Sequence, residues 1–491
     1  MSWRGGLARG SVGAVGLWFY EVSASAPLTV LVGAVVATFA ATGVVGVPLA
    51  FLGLTPVLAL LTVGYVAMGR HVTHAATFYA LLAHGLGPAA GLVGAVVAWI
   101  GYNAIQISLY GLLGATLAGL FGGAWWLWAA VVWTVIAWTG VLRVTIGASV
   151  LAVLLIAEIG VIGLFDIGAF THPAGGAVSA APLSPGRLAV DGIGGVLAFG
   201  IASFVGFESG AAFGEEARSK ATVARATFAA VLFLGPFYAV SAWALAVAAG
   251  PDRVAAATRA DPELPLTVLA TTYGVFGPLV AMLGTGLLIT SIFAAMLSFH
   301  STAARYTFGL ARERVLPPML ARTGAGSARS RRDAPIGGSL VQTGLAGLVV
   351  AVFAMLDANP ITTLFTWLAT LAAVAVLVLL VAASLAALRF FHRGGGTNDS
   401  VWARVVAPVL GIGAGVAVLS VTVANLGTLL GAAPRSPLTV IIPGVVGAGI
   451  LAGLVWAAIL RHRRRDLYDA IGRGRPHPLA LPDKRLADVR F

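Results

Sequence analysis

The sequence predicts an all-α membrane protein that crosses the bilayer about twelve times. Of its 491 residues, 59% are hydrophobic and only 10% are charged, whereas a soluble domain carries about 25% charged residues. Apolar segments of about 20 residues, long enough to cross about 30 Å of hydrocarbon, recur along the chain. Because no soluble fold could cover so much apolar surface, lipid must be the solvent for most of this protein.

The twelve apolar segments are spread over almost the whole chain. They centre near residues 30, 58, 103, 131, 155, 201, 236, 290, 347, 375, 418 and 449. We expect one transmembrane domain over residues 1–460, with helices 1–5 at about 14–170, helices 6–10 at about 190–390 and helices 11–12 at about 403–460. Residues 461–491 are expected to form a basic cytoplasmic tail.

The distribution of basic residues predicts cytoplasmic termini and a location in the plasma membrane. In this orientation the outer loops hold only four of the 30 Lys and Arg residues, namely Arg187, Arg253, Arg259 and Arg435. Cytoplasmic loops carry the excess of Lys and Arg in membrane proteins, so the asymmetry supports an even number of helices. The net charge of +12 therefore indicates loops at an anionic leaflet, and no nucleic-acid partner is expected.

Several functional classes lack the residues that they need. The chain has no Cys, which excludes disulfide scaffolds, thiolate metal sites and Cys nucleophiles. It has no HExxH zinc motif and no Walker A phosphate loop, so we expect neither an enzyme nor a bound metal or cofactor. A channel would need a continuous polar path. A channel and a transporter-like sensor remain the alternatives outside transport.

Two apolar segments contain residues that interrupt helices. The run SASAP (23–27) breaks the first, where Pro27 removes a donor. Gly206 and Glu208 lie in the middle of the sixth. Backbone groups in lipid must be satisfied internally, so a broken helix survives only where it lines a cavity. Breaks at matching positions of two five-helix halves indicate an inverted-repeat transporter with its site at the membrane midplane.

The same N-terminal residues also fit a secretory signal peptide. Arg4 and Arg9 precede an apolar run, and SASA resembles a cleavage site. However, apolar sequence resumes at once in LTVLVGAVVATFA. A broken first helix is therefore the preferred interpretation.

Four motifs in this order resemble amino-acid–polyamine–organocation permeases. They are SASAPLTVL, TFYALLAHGLGP, FVGFESGAAFGEEARSKATVARA and RYTFGLARERVLP. The resemblance covers about residues 15–460 and implies a LeuT-type 5+5 inverted repeat, with broken helices 1 and 6, plus two further helices. It also implies a secondary transporter of amino acids. Helix 1 has SASAP and not the Gly-Ser-Gly form of many amino-acid permeases, so a polyamine or another amine is the alternative substrate.

The resemblance implies that backbone at the two breaks holds the substrate. Its carboxylate would meet amides of residues 26–28, at a half-helix N-terminus that favours negative charge, and its amine would meet carbonyls of residues 203–206. Phe204 and Phe207 are gate candidates, with lipid-facing aromatics as the alternative. The substrate-binding candidates are Ser25, Ala26, Pro27, Tyr102, Asn103, Gln106, Ser203, Phe204, Gly206, Phe207 and Glu208.

Ionisable residues inside membrane segments are costly and are therefore functional candidates. Glu158, in SVLAVLLIAEIGVIGLF, is interpreted as the isolated charge of helix 5. The resemblance implies an ion site between helices 1 and 8, at which Thr290 and Ser291 match a hydroxyl pair. We expect Glu158 to carry a coupling proton there. Sodium ligation with these hydroxyls, substrate exchange and a purely structural acid are the alternatives.

Other polar residues have two interpretations each. Glu208 either bonds backbone freed by the break or faces a cationic substrate group. Glu21 either closes an inner gate with a basic partner or lies in a solvated vestibule. Trp367 either gates the outer vestibule or anchors at an interface, and His300 is expected to be a packing residue.

Helix 3 carries a polar stripe. Tyr102, Asn103, Gln106 and Tyr110 are spaced so that they face the bundle. They either contact the substrate or hold helices together, at about 0.6 kcal/mol per hydrogen bond.

The soluble parts are expected to be small. Residues 69–85 are predicted to form an amphipathic helix on the inner face. Residues 322–333 are predicted to form a flexible loop. The chain after Arg461 is expected to be surface-bound or disordered.

Overall fold

A computed structural model describes residues 13–473 except 73, 143–147, 214–216, 323–334, 397–398 and 431–435. The paired glutamates at 215–216, most of the loop predicted at 322–333 and Arg435 lie outside these ranges. Within them the secondary structure is helical, without a β-strand. Eleven helices are long and apolar enough to cross a membrane. The shorter apolar helix Trp125–Leu142 supplies the twelfth predicted segment.

We call these helices spans and number them in chain order. They are span 1 Ala14–Thr42, span 2 Val47–Gly69, span 3 Pro88–Phe121, span 4 Trp125–Leu142, span 5 Ala148–Thr171, span 6 Ile193–Ala211, span 7 Lys220–Ala249, span 8 Gly277–Arg312, span 9 Ile336–Met355, span 10 Pro360–His392, span 11 Trp402–Ala424 and span 12 Leu438–Arg463.

Spans 1 and 6 lie at the centre of the helix bundle. In each of them, 83% of the most hydrophobic stretch is buried inside the protein, against 28% in spans 11 and 12. The peripheral spans therefore present most of their apolar side chains to lipid, where no polar partner is needed. The two central spans instead contact other spans on nearly all sides, which is the arrangement that allows their backbone to be irregular.

The ends of the even-numbered spans meet on one face, which we call the N-face because the first span begins there. The Gly472 N–H, just after span 12, donates to the Glu313 carboxyl at the end of span 8 (3.0 Å). On the opposite face, Arg259 after span 7 donates to the Ala40 carbonyl near the end of span 1 (2.7 Å). If the spans cross the membrane in alternating directions, spans 8 and 12 end on the same face, and spans 1 and 7 end on the other face. Both contacts agree with this.

The helix predicted at residues 69–85 differs in position and surroundings. The structure has the helix Thr77–Leu86, which we call the linking helix, between spans 2 and 3. All but two of its ten residues are buried, because spans 3 and 10 pack against it. It is therefore an internal element of the N-face and not an amphipathic helix on the surface.

The chain after span 12 is docked, which corrects the expectation of a surface-bound or disordered tail for residues up to 473. A short helix, Arg465–Ala470, follows span 12, and Leu467 and Ile471 are buried. Gly472 has a φ of 78°, and a Cβ at this position would lie 2.6 Å from the Ala83 side chain of the linking helix. Only Gly combines this backbone conformation with such a close approach.

A hydrogen-bonded cluster around Glu313 holds the docked segment. The carboxyl accepts hydrogen bonds from His74 (3.0 Å), from the Tyr79 hydroxyl (2.5 Å) and from the Gly472 N–H. Although burial alone would raise the pKa of Glu313, these hydrogen bonds lower it below its ordinary value. The ionised carboxylate is therefore the form that fits the cluster.

We expect Glu313→Gln to release the docked segment at neutral pH. Hydrogen bonds to a charged group contribute about 1.5–3 kcal/mol each, so hydrogen exchange of residues 467–472 should accelerate about tenfold or more. Since docking depresses the pKa of Glu313, the docked state binds fewer protons than the released state. In the unsubstituted protein, protection should therefore persist above about pH 4.5 and fall only on further acidification.

Asp399→Asn is the matched control for this experiment. It removes a carboxylate that binds His71 (2.7 Å) and Arg70 (3.5 Å) on the same face. Unchanged exchange in Glu313→Gln, or equal acceleration in both variants, would show that the Glu313 cluster does not anchor the segment.

Candidate functional site

Span 1 is interrupted between Ser25 and Pro27, as the sequence predicts. The helix Ala14–Ser25 ends at Ala26, which has a φ of 46°, in the left-handed region that non-glycine residues rarely adopt. Pro27 begins the next helical segment. A proline is tolerated there because the first N–H of a helix has no partner within the helix.

Span 6 is interrupted at residues 205–208. The helix Ile193–Phe204 gives way to an extended Val205, and Gly206 has a φ of 120°. The Gly206 N–H donates to Glu208 Oε2 (3.0 Å), and the Glu208 carbonyl accepts a hydrogen bond from the Tyr65 hydroxyl (3.1 Å). Glu208 thus makes the hydrogen bond to freed backbone that its structural interpretation predicts.

The two breaks lie directly against each other. The Ser25 hydroxyl is 3.4 Å from the carbonyl oxygen of Phe204 and 3.2 Å from that of Glu21. A Cβ on Gly206 would lie 2.9 Å from the Ala24 carbonyl carbon and 3.0 Å from the Ser25 nitrogen. Residue 206 must therefore be Gly both for its backbone conformation and for the close approach of span 1.

The two gate candidates of span 6 are enclosed in the protein. Phe204 and Phe207 are 0% and 1% exposed, so the lipid-facing interpretation of both is wrong. The Phe204 ring contacts those of Phe51 and Tyr238, with centroid separations of 6.2 and 5.8 Å. The Tyr238 hydroxyl also donates to the Ser25 carbonyl (3.3 Å). Aromatic side chains therefore surround the point at which the breaks meet.

The backbone amides proposed for a substrate carboxylate are largely engaged. The Ala26 N–H donates to carbonyls of the preceding turn, and Pro27 has no N–H. The Leu28 N–H lies near the carboxyl of Glu158 in span 5 and interacts with it electrostatically. At the carbonyl side of the site, the Ser203 hydroxyl donates to Phe199 within its own helix (2.8 Å).

Glu158 joins three spans. Its carboxyl accepts a hydrogen bond from the Ser291 hydroxyl of span 8 (2.8 Å) and interacts electrostatically with the Leu28 N–H of span 1. The Thr29 hydroxyl in turn donates to Ser291 (3.2 Å). Glu158 is only 5% exposed. A carboxylate beside the N-terminus of a helical segment is stabilised by its free amides and its dipole.

Comparison with known proteins gives the family. The family model described as "Amino acid permease" matches residues 20–457. The chain belongs to the amino acid permease family. No curated protein sequence matches the permease.

The fold of the permease occurs among solved transporters. One is the Eremococcus coleocola manganese transporter, solved in complex with an aromatic bis-isothiourea substituted compound. The two chains are 14% identical, and the match covers 91% of the permease and 95% of that chain with a TM-score of 0.53. The predicted fold of twelve helices with a LeuT-type repeat is therefore confirmed.

The hydroxyl pair of span 8 divides into two roles in the permease. Ser291 binds Glu158, as described above, and is 1% exposed. Thr290 instead donates to the Leu287 carbonyl in its own helix (2.9 Å). Ser291 is therefore the hydroxyl of the pair that contacts Glu158, and Thr290 is not.

Glu21 is fully buried, so its interpretation as a solvated vestibule residue is wrong. Oε1 accepts a hydrogen bond from the Thr227 hydroxyl of span 7 (2.7 Å), and a Cβ on Gly210 would overlap this oxygen. Oε2 is buried without a hydrogen-bond partner among the described residues. The basic partner expected for an inner gate is likewise not found in the part of the chain that the structure describes.

The polar residues of span 3 make different contacts. Tyr102 contacts the Tyr306 ring (5.5 Å between centroids) and lies within electrostatic range of Glu208, beside the break in span 6. Asn103 instead donates to the Trp99 carbonyl in its own helix (2.8 Å). Of Tyr102 and Asn103, Tyr102 is therefore the residue that interacts with the break in span 6.

The next residue of the stripe connects two spans. Gln106 binds the Tyr110 hydroxyl (3.3 Å) and accepts a hydrogen bond from Gln342 of span 9. This is the contact expected of a polar side chain that holds membrane helices together.

The remaining candidates also contact span 9. His300 shares a hydrogen bond with Ser339 (2.7 Å), which fits its prediction as a packing residue. The Trp367 ring packs edge-on against Phe353, with centroids 6.4 Å apart. Trp367 is partly buried.

Two features of the site were not identified from the sequence. One is a second carboxyl in span 5, and the other is the tyrosine hydroxyls that donate to backbone carbonyls at the breaks. Asp166 follows the motif quoted for Glu158 directly and binds Ser241 of span 7 (3.1 Å). The rule that singles out ionisable residues in membrane segments would have found it. Tyr65 and Tyr238 bind break carbonyls across the bundle, a contact for which the sequence carries no local signal.

Proposed function

We propose that the permease is a proton-coupled secondary transporter of amino acids that works by alternating access. The substrate would bind where the breaks of spans 1 and 6 meet, with Phe204 and Phe207 beside it. The N-face would be cytoplasmic and the membrane would be the plasma membrane. Family membership supports a transported small molecule, and the surroundings of Glu158 support the choice of a carboxylate-bearing substrate and of the proton.

The observation that carries this proposal is the position of the Glu158 carboxyl, which the Ser291 hydroxyl binds (2.8 Å) beside the Leu28 amide at the start of the second half of span 1. An ionised Glu158 competes for the amide that a substrate carboxylate would need. A proton on Glu158 removes its negative charge and weakens its hold on this amide, so the substrate carboxylate takes its place. Proton and substrate then favour each other's binding, which is the linkage that symport requires.

The same geometry favours the proton over sodium. A sodium site built from Glu158 and both hydroxyls needs all three oxygens to converge, and hard cations take several oxygen ligands. The Thr290 hydroxyl donates to the Leu287 carbonyl, whereas the Ser291 hydroxyl is the one of the pair that hydrogen-bonds to Glu158. A single buried carboxyl (5% exposed) suits proton binding, because burial disfavours its charged form.

The test is uptake into proteoliposomes that have an alkaline interior and contain no sodium. A panel of labelled amino acids should be compared with the amines that lack only the carboxylate. We expect gradient-driven accumulation of at least one amino acid and none of its matching amine, because only the acid competes with Glu158 for the Leu28 amide.

Two controls complete this experiment. A protonophore should abolish accumulation, and liposomes without protein should show none. Accumulation of amines alone, transport that requires sodium, or exchange without net accumulation would each contradict the proposal.

A further inference from the structure

A second buried carboxyl of span 5 has no part in the site described so far. Asp166 lies eight residues beyond Glu158 and is 9% exposed. Oδ2 accepts a hydrogen bond from the Ser241 hydroxyl of span 7 (3.1 Å). Oδ1 is buried without a hydrogen-bond partner among the described residues. A carboxyl in membrane with one oxygen left over is costly, and such residues mark ion and proton pathways.

No counter-charge accompanies Asp166 in the described part of the chain. Span 7 presents Tyr238 and Ser241 to this side of span 5. The segment after the helix Leu264–Thr272 presents Tyr273, whose hydroxyl donates to the Leu164 carbonyl (2.5 Å). Span 8 meets span 5 at Glu158 through Ser291 and at the apolar Val161, and the break of span 1 lies beside Glu158. None of these groups is basic, so an ionised Asp166 would be an unpaired buried charge, whereas a bound proton removes the need for a partner.

Asp166 lies between Glu158 and the face opposite the N-face. Span 5 begins at the N-face and ends at Thr171, five residues after Asp166. At a rise of about 1.5 Å per residue, the two carboxyls are about 12 Å apart along the helix. Asp166 is therefore the acid of span 5 nearer the face that we propose to be extracellular.

Span 7 carries hydroxyl side chains at the heights of Asp166 and Glu158. Ser241 binds Asp166, and Tyr238, one turn earlier, interacts electrostatically with Glu158 while its hydroxyl binds the Ser25 carbonyl. Residues three apart share one face of a helix. The interface of spans 5 and 7 thus carries four polar groups between the face opposite the N-face and the break of span 1. In that order they are Asp166, Ser241, Tyr238 and Glu158.

We propose that Asp166 is the proton-uptake carboxyl that supplies Glu158 from the face opposite the N-face. This proposal rests on the proposed function. Asp166 holds a proton at rest, releases it toward Glu158 along the interface of spans 5 and 7, and then takes another from hydronium at that face as a new O–H bond forms. Each transfer breaks one O–H bond and forms another, so Asp166 returns to its starting form after every turnover.

The deciding variant is Asp166→Asn. Asn keeps the size of the side chain and an oxygen to accept the Ser241 hydrogen bond, and removes the titratable carboxyl. We expect gradient-driven accumulation to fall about a hundredfold, the lower end of the range for loss of a proton-transfer group. Exchange of labelled for unlabelled substrate at equal pH on both sides should stay within about twofold, because it needs no net proton delivery.

Two further variants distinguish proton transfer from packing. Asp166→Glu restores a titratable group and should recover accumulation. Ser241→Ala removes the hydrogen bond and leaves the carboxyl, so it should lose less accumulation than Asp166→Asn. Size-exclusion profiles and melting temperatures confirm that each variant is folded.

Each remaining outcome is decisive. Normal accumulation in Asp166→Asn would mean a structural acid and would overturn the proposal. Equal loss of accumulation and exchange would overturn it too, because the residue would then serve the substrate site or the fold. Failure of the unsubstituted permease to accumulate substrate in a proton gradient would instead refute the proposed function, and that result is seen before any variant is made.

Discussion

Glu158→Gln is expected to abolish proton-driven accumulation while substrate exchange persists. Gln has the size of a protonated Glu and still accepts a hydrogen bond from Ser291, but it cannot release a proton. It lacks the negative charge that competes for the Leu28 amide. The variant should therefore bind substrate well and transport it down its own gradient without coupling to protons.

Substrate affinity as a function of pH gives the second measurement on this variant. Under the proposed mechanism a proton on Glu158 frees the Leu28 amide in the unsubstituted permease, so affinity should rise as pH falls through the range in which Glu158 binds its proton. Coupling between sites is typically about 5- to 150-fold, and the rise should lie within this range. Affinity in Glu158→Gln should be high and independent of pH.

The hydroxyl pair of span 8 provides the matched controls for Glu158. Ser291→Ala removes a hydrogen bond to the carboxyl (2.8 Å) and should change the pH dependence. Thr290→Ala removes a hydroxyl that binds the Leu287 carbonyl and should leave it unchanged. Equal effects of both alanines, together with a requirement for sodium, would contradict the proton mechanism and support a three-oxygen sodium site.

The spans could be predicted from the sequence because the bilayer fixes their length and composition. The segment centred near residue 58 is span 2, Val47–Gly69. Even the least accurate centre, near residue 418, lies inside span 11, Trp402–Ala424. Arg404 at the beginning of that span lowers its hydropathy, which moves the apparent centre toward its end. Hydropathy measures composition and not helix boundaries, so shifts of this kind are expected.

The breaks could also be predicted, because they depend on local backbone chemistry. Pro27 cannot donate a hydrogen bond, and Gly206 adopts a φ of 120° that other residues avoid. Which side chain satisfies the freed backbone is a different question. The Leu28 amide interacts with Glu158, 130 residues away along the chain, and only packing of spans 1 and 5 brings the two together.

Two errors have the same physical origin. The linking helix was predicted to be amphipathic and the chain after Arg461 to be surface-bound, because both contain polar residues beside membrane spans. In the structure they bury each other through Gly472 and the Glu313 cluster. Composition indicates the environment that a segment favours by itself, and it does not reveal a partner segment that satisfies the polar groups of both.

Gly206→Ala is expected to inactivate the permease. A non-glycine residue in such a backbone conformation costs about 1–3 kcal/mol. The new methyl group would also lie 2.9 Å from the Ala24 carbonyl carbon and 3.0 Å from the Ser25 nitrogen. Both neighbours are backbone atoms, so no side chain can move aside, and the two breaks must separate. We expect transport to fall about tenfold or more and the melting temperature to decrease.

Gly160→Ala in span 5 is the matched control, because a Cβ at this position meets nothing within 4 Å. It should transport and melt like the unsubstituted permease, since Ala is a better helix former than Gly. Substrate affinity of the detergent-purified Gly206→Ala protein then locates the defect. Lost affinity in a protein that still elutes as a folded species would place the substrate at the contact of the two breaks. Full affinity and full transport would mean that this contact is not part of the substrate site, because the breaks could then separate without consequence.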